Sequence, residues 1–239
     1  MSRKRRVRLR ALVDLVSEAF PDAEPVAAIA DGEVLVNGYP VRNPKALVPL
    51  DASLRLRPAE PLRGEAKLSA ALEAFAVPVR ERIAVDLGAA AGGFTRVLVD
   101  AGARRVYAVD AGHGQLLGSL RQSRTVVNLE RTNLAELNRS RVPEAVDLLT
   151  ADLSYLPLAR ALPQLDLSFA ADADLIAVVK PQFELGLDKA PAGPDLVLEA
   201  GRLAIRGAAR AGWMKPQVIE SPVTSARGAV ELLLHGSRS

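Results

Sequence analysis

The stretch from Ile83 to Thr95 constrains the fold more than any other part of the chain. A short apolar run ends in Asp86, and a loop of glycine and alanine, Gly88–Gly93, follows it. Apolar residues then recur at helical spacing over Phe94–Val99. This order of strand, tight loop and helix predicts the first βα unit of a doubly wound sheet. Small residues let the loop backbone approach a ligand closely, and the helix N-terminus offers free N–H donors.

The loop lacks the dinucleotide fingerprint G-x-G-x-x-G, because alanines separate Gly88 from Gly92 and Gly93. A nicotinamide dinucleotide is therefore disfavoured. The next apolar run, Arg105–Asp110, ends in an acid 18 residues after Gly92. At the end of a second strand, such an acid can accept hydrogen bonds from both hydroxyls of a ribose. A structural turn with a solvated aspartate is the alternative interpretation.

Strand and helix patterns alternate through the rest of the chain. A helix over Glu65–Phe75 precedes the first of five strands, which are expected near 83–88, 105–110, 125–130, 146–152 and 174–180. A helix near 195–211 and a terminal strand pair, Val218–Ser221 and Ala229–Leu234, follow them. The alternation predicts an α/β, doubly wound, Rossmann-like sheet whose strands end along one ligand-binding edge.

Composition excludes several kinds of site. The chain has no cysteine, so disulfides, thiolate nucleophiles and zinc clusters are excluded. His113 and His235 are too few and too far apart in sequence to indicate a metal site, and we expect none. Only 4% of the residues are aromatic, which disfavours platforms of stacked bases.

The N-terminus is strongly basic, although the whole chain has a formal net charge of only +3. Six of the first ten residues are basic: Arg3, Lys4, Arg5, Arg6, Arg8 and Arg10. This run is suited to bind phosphates, and a solvated tail is an equally good interpretation. It does not resemble a signal peptide, because Asp14 and Glu18 interrupt the apolar segment behind it. No apolar run approaches the roughly 18 residues that a membrane span needs, so a cytoplasmic protein is expected.

Residues 1–58 are predicted to form a small separate domain. Leu9 to Phe20 has helical spacing, and a second short helix is expected over Ala27–Ala30. Asn37-Gly38 sits in an alternating segment and is a strong hairpin signal. Pro58–Gly64 has the composition of a linker to a larger domain, residues 59–239.

Several motifs together resemble the TlyA family, also called hemolysin A, of ribosomal RNA 2′-O-methyltransferases with an FtsJ-like domain. In family order they are Asp86–Thr95, Val109–Leu116, Leu129–Asn133, Ala151–Ser154 and Val179–Glu184. The resemblance implies that residues 1–58 are an S4-like RNA-binding domain. Asp14 to Glu33 departs from the S4 pattern, since it holds six acids and no Lys or Arg.

The resemblance further implies S-adenosylmethionine as the methyl donor and ribosomal RNA or a ribosomal subunit as the partner. It says nothing of the oligomeric state or the target nucleotide. The implied cofactor-binding residues are Asp86, Gly88, Ala89, Gly92, Gly93, Phe94, Asp110, Thr132 and Asn133. Those before Asp110 would hold the methionine portion, Asp110 the ribose, and the last two would flank the adenine. Taken singly, Asp, Thr and Asn at strand ends are also good helix N-caps.

By the same resemblance, Lys67, Asp152, Lys180 and Glu231 form a catalytic tetrad for methylation of a ribose hydroxyl. Lys180 is the candidate base, and Asp152 would orient it. Methyltransferases that act on exocyclic amines tend to carry Asn/Asp-Pro-Pro-aromatic after the fourth strand, whereas here no proline follows Asp152 until Pro157. The alternative is that both lysines make ordinary surface salt bridges.

Glu231 is expected to be the acidic member of the tetrad rather than Glu220. In this sheet, the last strand would run antiparallel beside the fifth, so Glu231 would lie beside Lys180. Glu220 would lie one strand further out, roughly 5 Å more distant. The family turn before the glutamate is altered here, with Ser225 and Ala229 in place of a glycine and an asparagine.

Three other classes stay open at this stage. One is a non-catalytic RNA-binding or ribosome-associated module, against which the complete tetrad argues. Another is a membrane-active toxin, as the hemolysin label suggests, against which the missing signal peptide and apolar spans argue. A methyltransferase of small molecules is also possible, because the basic and aromatic contents are modest.

Overall fold

A computed structural model describes residues 8–57, 61–191, 193–225 and 227–239. The chain forms two compact units. Unit 1 comprises the described part of Met1–Glu60 together with Leu117–Ser123, and unit 2 comprises that of Pro61–Leu116 and Arg124–Ser239. The basic residues Arg3–Arg6 and the linker residues Pro58–Glu60 lie outside the described residues.

Twelve strands and eight α-helices are described. In chain order they are β1 Leu9–Ala11, α1 Leu12–Ala19, α2 Pro25–Asp31, β2 Val34–Val36, β3 Tyr39–Pro40, β4 Leu47–Pro49, β5 Leu54–Leu56, α3 Arg63–Ala74, β6 Ile83–Leu87, α4 Gly93–Asp100, β7 Arg105–Asp110, α5 Gly118–Gln122, β8 Val126–Glu130, β9 Val146–Ala151, α6 Leu158–Ala161, β10 Phe169–Val179, α7 Pro181–Glu184, α8 Pro194–Arg210, β11 Met214–Glu220 and β12 Leu232–Ser237.

Unit 1 packs α1 and α2 against two small antiparallel sheets, β3-β2-β5 and β1-β4. Leu12, Val16 and Ile29 are fully buried in its core. Asn37 and Gly38 have φ values of 51° and 88° between β2 and β3, as a two-residue hairpin turn requires. The predicted helical start at Leu9 was wrong. Leu9–Ala11 instead pairs with β4, because the β4 backbone offers these residues hydrogen-bond partners before the first helical turn.

The segment Leu117–Ser123 belongs to unit 1 although it lies far along the chain. The backbone N–H and the hydroxyl of Ser119 donate to the Asp31 carboxylate at 2.9 Å and 2.8 Å. A Cβ at Gly118 would lie only 2.7 Å from Ala30 atoms, so α5 approaches α2 closely because it begins with glycine. The sequence analysis did not anticipate this packing.

Unit 2 contains a seven-stranded sheet in the order β11-β12-β10-β9-β6-β7-β8. The strands β10, β9, β6, β7 and β8 are parallel, whereas β12 runs antiparallel between β10 and β11. Leu68 of α3 and Leu98 of α4 are buried in the core on one face. Ala204 and Ala208 of α8 are buried on the other. Apolar runs are therefore continuous through the central strands, which are buried on both faces. The predicted α/β, doubly wound sheet is confirmed.

Three strands begin at least three residues away from the sequence expectation. β10 begins at Phe169, five residues earlier than expected, β11 begins at Met214 rather than Val218, and β12 begins at Leu232 rather than Ala229. The delay has a local cause, because Ser225 closes a turn with Ala229. The Ser225 N–H donates to the Ala229 carbonyl at 2.9 Å, and the Ser225 hydroxyl accepts from the Ala229 N–H at 3.0 Å. The strand order at this edge is the predicted one, with β12 beside β10 and β11 outside it.

Candidate active site

The loop after β6 is held by glycines in positions where other residues would collide or be strained. Gly88 has a φ of 80°, and a Cβ there would lie 2.8 Å from the Asp152 carbonyl oxygen. Gly92 has a φ of 100°. A Cβ at Gly93 would lie 3.1 Å from the Gly64 Cα, so α4 begins in close contact with the start of α3. Ala89 and Phe94 are buried. The small-residue pattern therefore serves close packing as well as access for a ligand.

Asp86 supports this loop from inside the protein. Its carboxylate is fully buried and accepts hydrogen bonds from the Thr95 hydroxyl at 2.7 Å and the Thr150 hydroxyl at 3.1 Å. Burial raises the pKa of Asp86 to about 6, although these two hydrogen bonds lower it in part. Asp86 thus ties β6 to α4 and β9 below the loop.

Asp110, at the end of β7, joins two loops at the same sheet edge. One carboxylate oxygen accepts from the Ala90 N–H at 2.9 Å, and the other accepts from the Gly112 N–H at 2.6 Å. A carboxylate has about four acceptor sites, so each oxygen can accept one further hydrogen bond. The arrangement fixes the glycine loop against β7 and leaves acceptor capacity for a ligand hydroxyl.

Glu130, at the end of β8, organises the loop after β7, and the sequence analysis did not select it. Its Oε1 accepts from the backbone N–H groups of Gln115 and Leu116 at 2.7 Å and 3.2 Å. Partial burial favours a higher pKa for Glu130, but hydrogen bonds from Asn128 and these backbone groups outweigh it and lower the pKa to about 2. The available signal was its place in the motif Leu129–Asn133.

Thr132 and Asn133 follow β8 at this edge. Thr132 is buried, its N–H donates to the Asp110 carbonyl at 3.0 Å, and its hydroxyl accepts from Arg141 at 3.3 Å. Asn133 caps a short 3-10 turn, Leu134–Glu136, and the Glu136 carboxylate accepts from the Asn133 N–H at 3.2 Å. Asn133 therefore occupies the N-cap position of this turn, and the Glu136 side chain makes the hydrogen bond to its backbone.

The four proposed catalytic side chains come together in unit 2. Lys67 of α3 places its Nζ 2.6 Å from Glu231 Oε2 and 3.6 Å from Asp152 Oδ2. Lys180, after β10, places its Nζ 2.6 Å from Asp152 Oδ1. The order of contacts is therefore Glu231–Lys67–Asp152–Lys180, with charges alternating along it. We call this group the tetrad.

The two halves of the tetrad differ in burial, and we call the more exposed half, Asp152 with Lys180, its open end. The side chains of Asp152 and Lys180 are 21% and 11% exposed, whereas those of Lys67 and Glu231 are 7% and 3% exposed. Withdrawing a charge from water costs several kcal/mol unless an opposite charge compensates it. Each member has a partner of opposite formal charge here, which offsets that cost. Ordinary surface salt bridges do not fit this degree of burial.

Lys180 also donates a hydrogen bond to the Ser154 hydroxyl at 2.6 Å. In the sequence, Ser154 is marked only as part of the motif Ala151–Ser154. It lies two residues after Asp152, and alternate residues of an extended segment point to the same side, so this spacing indicates a place beside Asp152.

Glu231, and not Glu220, is the second acid of the tetrad beside Asp152, but its side chain contacts a different lysine from the one expected. Val179 of β10 pairs with Leu232 of β12, so the Glu231 backbone enters beside the end of β10 as predicted. The Glu231 side chain nevertheless contacts Lys67 rather than Lys180, because α3 covers this face of the sheet and presents its amine there. Glu220 is exposed on β11.

A cavity of about 1040 Å³ lies beside this edge. The segments that follow β10 and connect β11 to β12 form much of its wall, and its lining includes Gln182, Phe183, Lys189, Arg227 and Ala229. Two basic side chains, Lys189 and Arg227, and two acidic ones, Asp188 and Glu220, line it together with apolar residues, so the lining is mixed in charge.

No helix among the described residues is long and apolar enough to cross a bilayer. In the same part of the chain, no group of three or more His, Cys, Asp and Glu side chains is placed to hold a metal ion.

Residues 62–238 match the family model of the FtsJ-like methyltransferases. The chain is also 40% identical over 240 residues to the 16S/23S rRNA (cytidine-2′-O)-methyltransferase TlyA of Mycobacterium tuberculosis, covering 95% of this chain and 89% of that protein. The chain belongs to the TlyA family of FtsJ-like methyltransferases. The resemblance found in the motifs is thereby confirmed.

Other members of the TlyA family carry hemolysin names. Hemolysin A of Brachyspira hyodysenteriae is 30% identical over 179 residues, covering 72% of this chain and 75% of that protein. A solved structure of a hemolysin-named protein from Streptococcus thermophilus superposes with a TM-score of 0.70 at 26% identity. The superposition covers 98% of this chain and 90% of the Streptococcus thermophilus chain.

The burial of Asp86 generates a prediction about stability and pH. An unfolded aspartate has a pKa near 3.9, so the folded state binds this proton more tightly. The resulting stabilisation is complete below pH ~4 and is lost as the pH rises through about 6. Relative to Asp86→Asn, the wild type should therefore lose about 2–3 kcal/mol of unfolding free energy between pH 4 and pH 7.

Urea unfolding of both proteins without ligand, at several pH values in this window, measures the difference. Other groups titrate in both proteins, so they cancel in the comparison. If the difference in unfolding free energy between the two proteins does not change with pH, the pKa of Asp86 is not raised in the folded protein.

Proposed function

We propose that this protein transfers a methyl group from S-adenosylmethionine to a ribose 2′-hydroxyl of ribosomal RNA. The observation that carries the proposal is the tetrad, which lies at the ends of β9 and β10 beside the glycine loop. The name of the Mycobacterium tuberculosis relative, an rRNA cytidine-2′-O-methyltransferase, supports a ribose of cytidine in ribosomal RNA as the target.

The glycine loop and the ends of β7 and β8 fit the proposed methyl donor. The backbone around Gly88 and Gly92 can approach the methionine portion closely. Asp110 has acceptor capacity for ribose hydroxyls, and Thr132 and Asn133 would flank the adenine. The donor, when bound, supplies a methyl group on a positively charged sulfur. The remaining chemistry concerns the acceptor hydroxyl, and it falls to the tetrad.

A ribose hydroxyl is a weak nucleophile near neutral pH and must lose its proton as it attacks. Lys180 is the base in this proposal, because it is the more exposed lysine of the tetrad and lies at its open end. Asp152 holds the Lys180 amine at 2.6 Å. Lys67 lies 3.6 Å from the same carboxylate, so the two lysines share it and each is held less strongly than by a carboxylate of its own. Glu231 pairs with Lys67 at 2.6 Å.

The tetrad also favours an enzyme over a non-catalytic binding module. Four largely buried charges lower stability unless they are closely matched, and RNA binding alone does not require them. RNA phosphates are instead bound by exposed basic side chains. The buried charges are therefore best explained by a reaction that needs them.

Unit 1 would supply affinity for RNA as an S4-like domain. We infer domain limits of 1–58 and 59–239 from the linker composition, with α5 packing on the first domain. Arg10 is engaged with Glu18 at 2.7 Å, so the remaining basic residues of the N-terminus would supply most of the positive charge. A ribosomal substrate also places the protein in the cytoplasm.

Replacement of Lys180 tests the proposed base. Lys180→Ala should lower turnover on ribosomal RNA by at least about a hundredfold, since general base catalysis contributes that much or more. Affinity for S-adenosylmethionine, measured by calorimetry, should stay close to that of the wild type. Lys215→Ala is the matched control, because Lys215 is an exposed lysine on β11. Full activity of Lys180→Ala would rule out Lys180 as the base.

A paired substitution tests the acidic member. Glu231→Gln should lower turnover at least about tenfold, because Lys67 loses its closest counter-charge and the balance of the tetrad changes. Glu220→Gln should leave turnover unchanged, since Glu220 is exposed on β11. Both proteins are assayed with labelled methyl donor and ribosomal RNA, and melting temperatures show whether each is folded. The reverse pattern would mean that Glu231 is outside the reacting site.

A further inference from the structure

Ser154 is the hydrogen-bond acceptor for Lys180 at the open end of the tetrad. Lys180 Nζ donates to its Oγ at 2.6 Å with good hydrogen-bond geometry. Asp152 Oδ1 is equally close to Nζ at 2.6 Å, so the amine lies between a carboxylate and a hydroxyl. Asp152 supplies charge, and Ser154 supplies a second, neutral acceptor. Hydrogen bonds depend strongly on angle, so the two acceptors together decide how the amine is turned.

The backbone places Ser154 and Lys180 on segments that are fixed to each other. Leu158, four residues after Ser154, donates its N–H to Glu184 Oε1 at 2.8 Å. Glu184 belongs to α7, whose first turn closes on the Lys180 carbonyl through the Phe183 N–H at 3.0 Å. Between Asp152 and Ser154, Leu153 is buried and anchors the segment in the core. The serine is thus held at a defined place relative to the lysine.

We propose that Ser154 is a positioning residue for Lys180 in the methyl transfer. The inference rests on the proposed function, because it assigns the serine a role in directing the proposed base. The Ser154 oxygen holds one N–H of the neutral amine and Asp152 holds the other, so the nitrogen lone pair is left for the acceptor hydroxyl.

The step balances without any change at the serine. The ribose oxygen forms a bond to the methyl carbon as the bond from sulfur to that carbon breaks. The electron pair of the breaking bond stays on sulfur, which becomes neutral. The ribose proton passes to Lys180 Nζ, and Ser154 keeps its own proton throughout.

Four charged groups surround the Lys180 amine or lie close to it. Asp152 faces it directly from the end of β9, and Lys67 and Glu231 lie behind Asp152 on α3 and before β12. Glu184, on the same segment as Lys180, directs one oxygen to Leu158. Loss of the serine oxygen should leave one N–H of the Lys180 amine without its acceptor.

Lysine side-chain NMR tests this directly. The chain has only six lysines, so the Lys180 signal in protein labelled with ¹⁵N-lysine can be assigned by comparison with Lys180→Arg. In Ser154→Ala, the Lys180 side-chain nitrogen signal should move and its protons should exchange faster with water than in the wild type, because the hydroxyl acceptor is lost. Ser154→Thr keeps the hydroxyl and should restore the wild-type signal and exchange rate. Equal signals and exchange rates in all three proteins would overturn the proposal.

Turnover on ribosomal RNA gives the second readout. Ser154→Ala should be about tenfold to a hundredfold slower at saturating substrates, as expected when a catalytic group is misdirected. Its affinity for S-adenosylmethionine should be unchanged, and Ser154→Thr should recover most of the rate. Ser140→Ala is the matched control, because Ser140 is exposed and its hydroxyl bonds only within its own loop, to Asn138.

The two readouts separate this inference from the proposed function. If the Lys180 signal moves as expected but even the wild type does not methylate ribosomal RNA, the contact between Ser154 and Lys180 is supported and the substrate assignment fails. If the wild type is active and Ser154→Ala matches it in rate and in its Lys180 signal, the proposed function stands and the positioning role is overturned.

Discussion

The arrangement of the site depends on one carboxylate, that of Asp152, shared by two lysines. Lys67 approaches one oxygen and Lys180 the other. Two ammonium groups so close together would repel each other without an acid between them, and largely buried charges of one sign would be costly. Glu231 completes the balance by pairing with Lys67 at 2.6 Å. The ends of α3, β9, β10 and β12 must therefore meet at one place for the charges to match.

The same residue connects the tetrad to the glycine loop. The Asp152 N–H donates to the Leu87 carbonyl at 3.0 Å. The Asp152 carbonyl oxygen lies only 2.8 Å from the position that a Cβ on Gly88 would take. Asp86 ties the strand below this loop to β9 through Thr150, and Asp110 ties the loop to β7. The proposed donor and acceptor sites are thus joined by short backbone contacts and need no mobile linker. Close contacts of this kind transmit small displacements, so changes under the loop should also reach the tetrad.

Much of this architecture could be predicted from the sequence because it depends on local patterns. Apolar runs ending in Asp86, Asp110 and Asp152 located the strands and the edge at which they end. Those runs are buried on both faces, so tertiary packing reinforced the pattern. The helical start at Leu9 was wrong because distant backbone, that of β4, offered a strand partner.

The finer contacts of the site depended on packing that sequence spacing does not determine. Glu231 pairs with Lys67 because α3 covers that face of the sheet. Glu130 acts through backbone N–H groups and Ser154 through one amine, and the sequence marks them only by their places in the motifs Leu129–Asn133 and Ala151–Ser154. The position of α5 in unit 1 likewise depended on a close approach between distant glycine and alanine residues. Residue types at the strand ends indicated where the site lies, whereas the contacts of those residues depend on packing in three dimensions.

The chemical position of the transferred methyl group tests the central claim most directly. The purified protein is incubated with methyl-labelled S-adenosylmethionine and ribosomal RNA or ribosomal subunits that lack the modification. The RNA is then digested to nucleosides and analysed by mass spectrometry. We expect label on the ribose 2′-oxygen of cytidine and none on a base. Label on a base, or transfer only to small molecules, would contradict ribose 2′-O-methylation of ribosomal RNA.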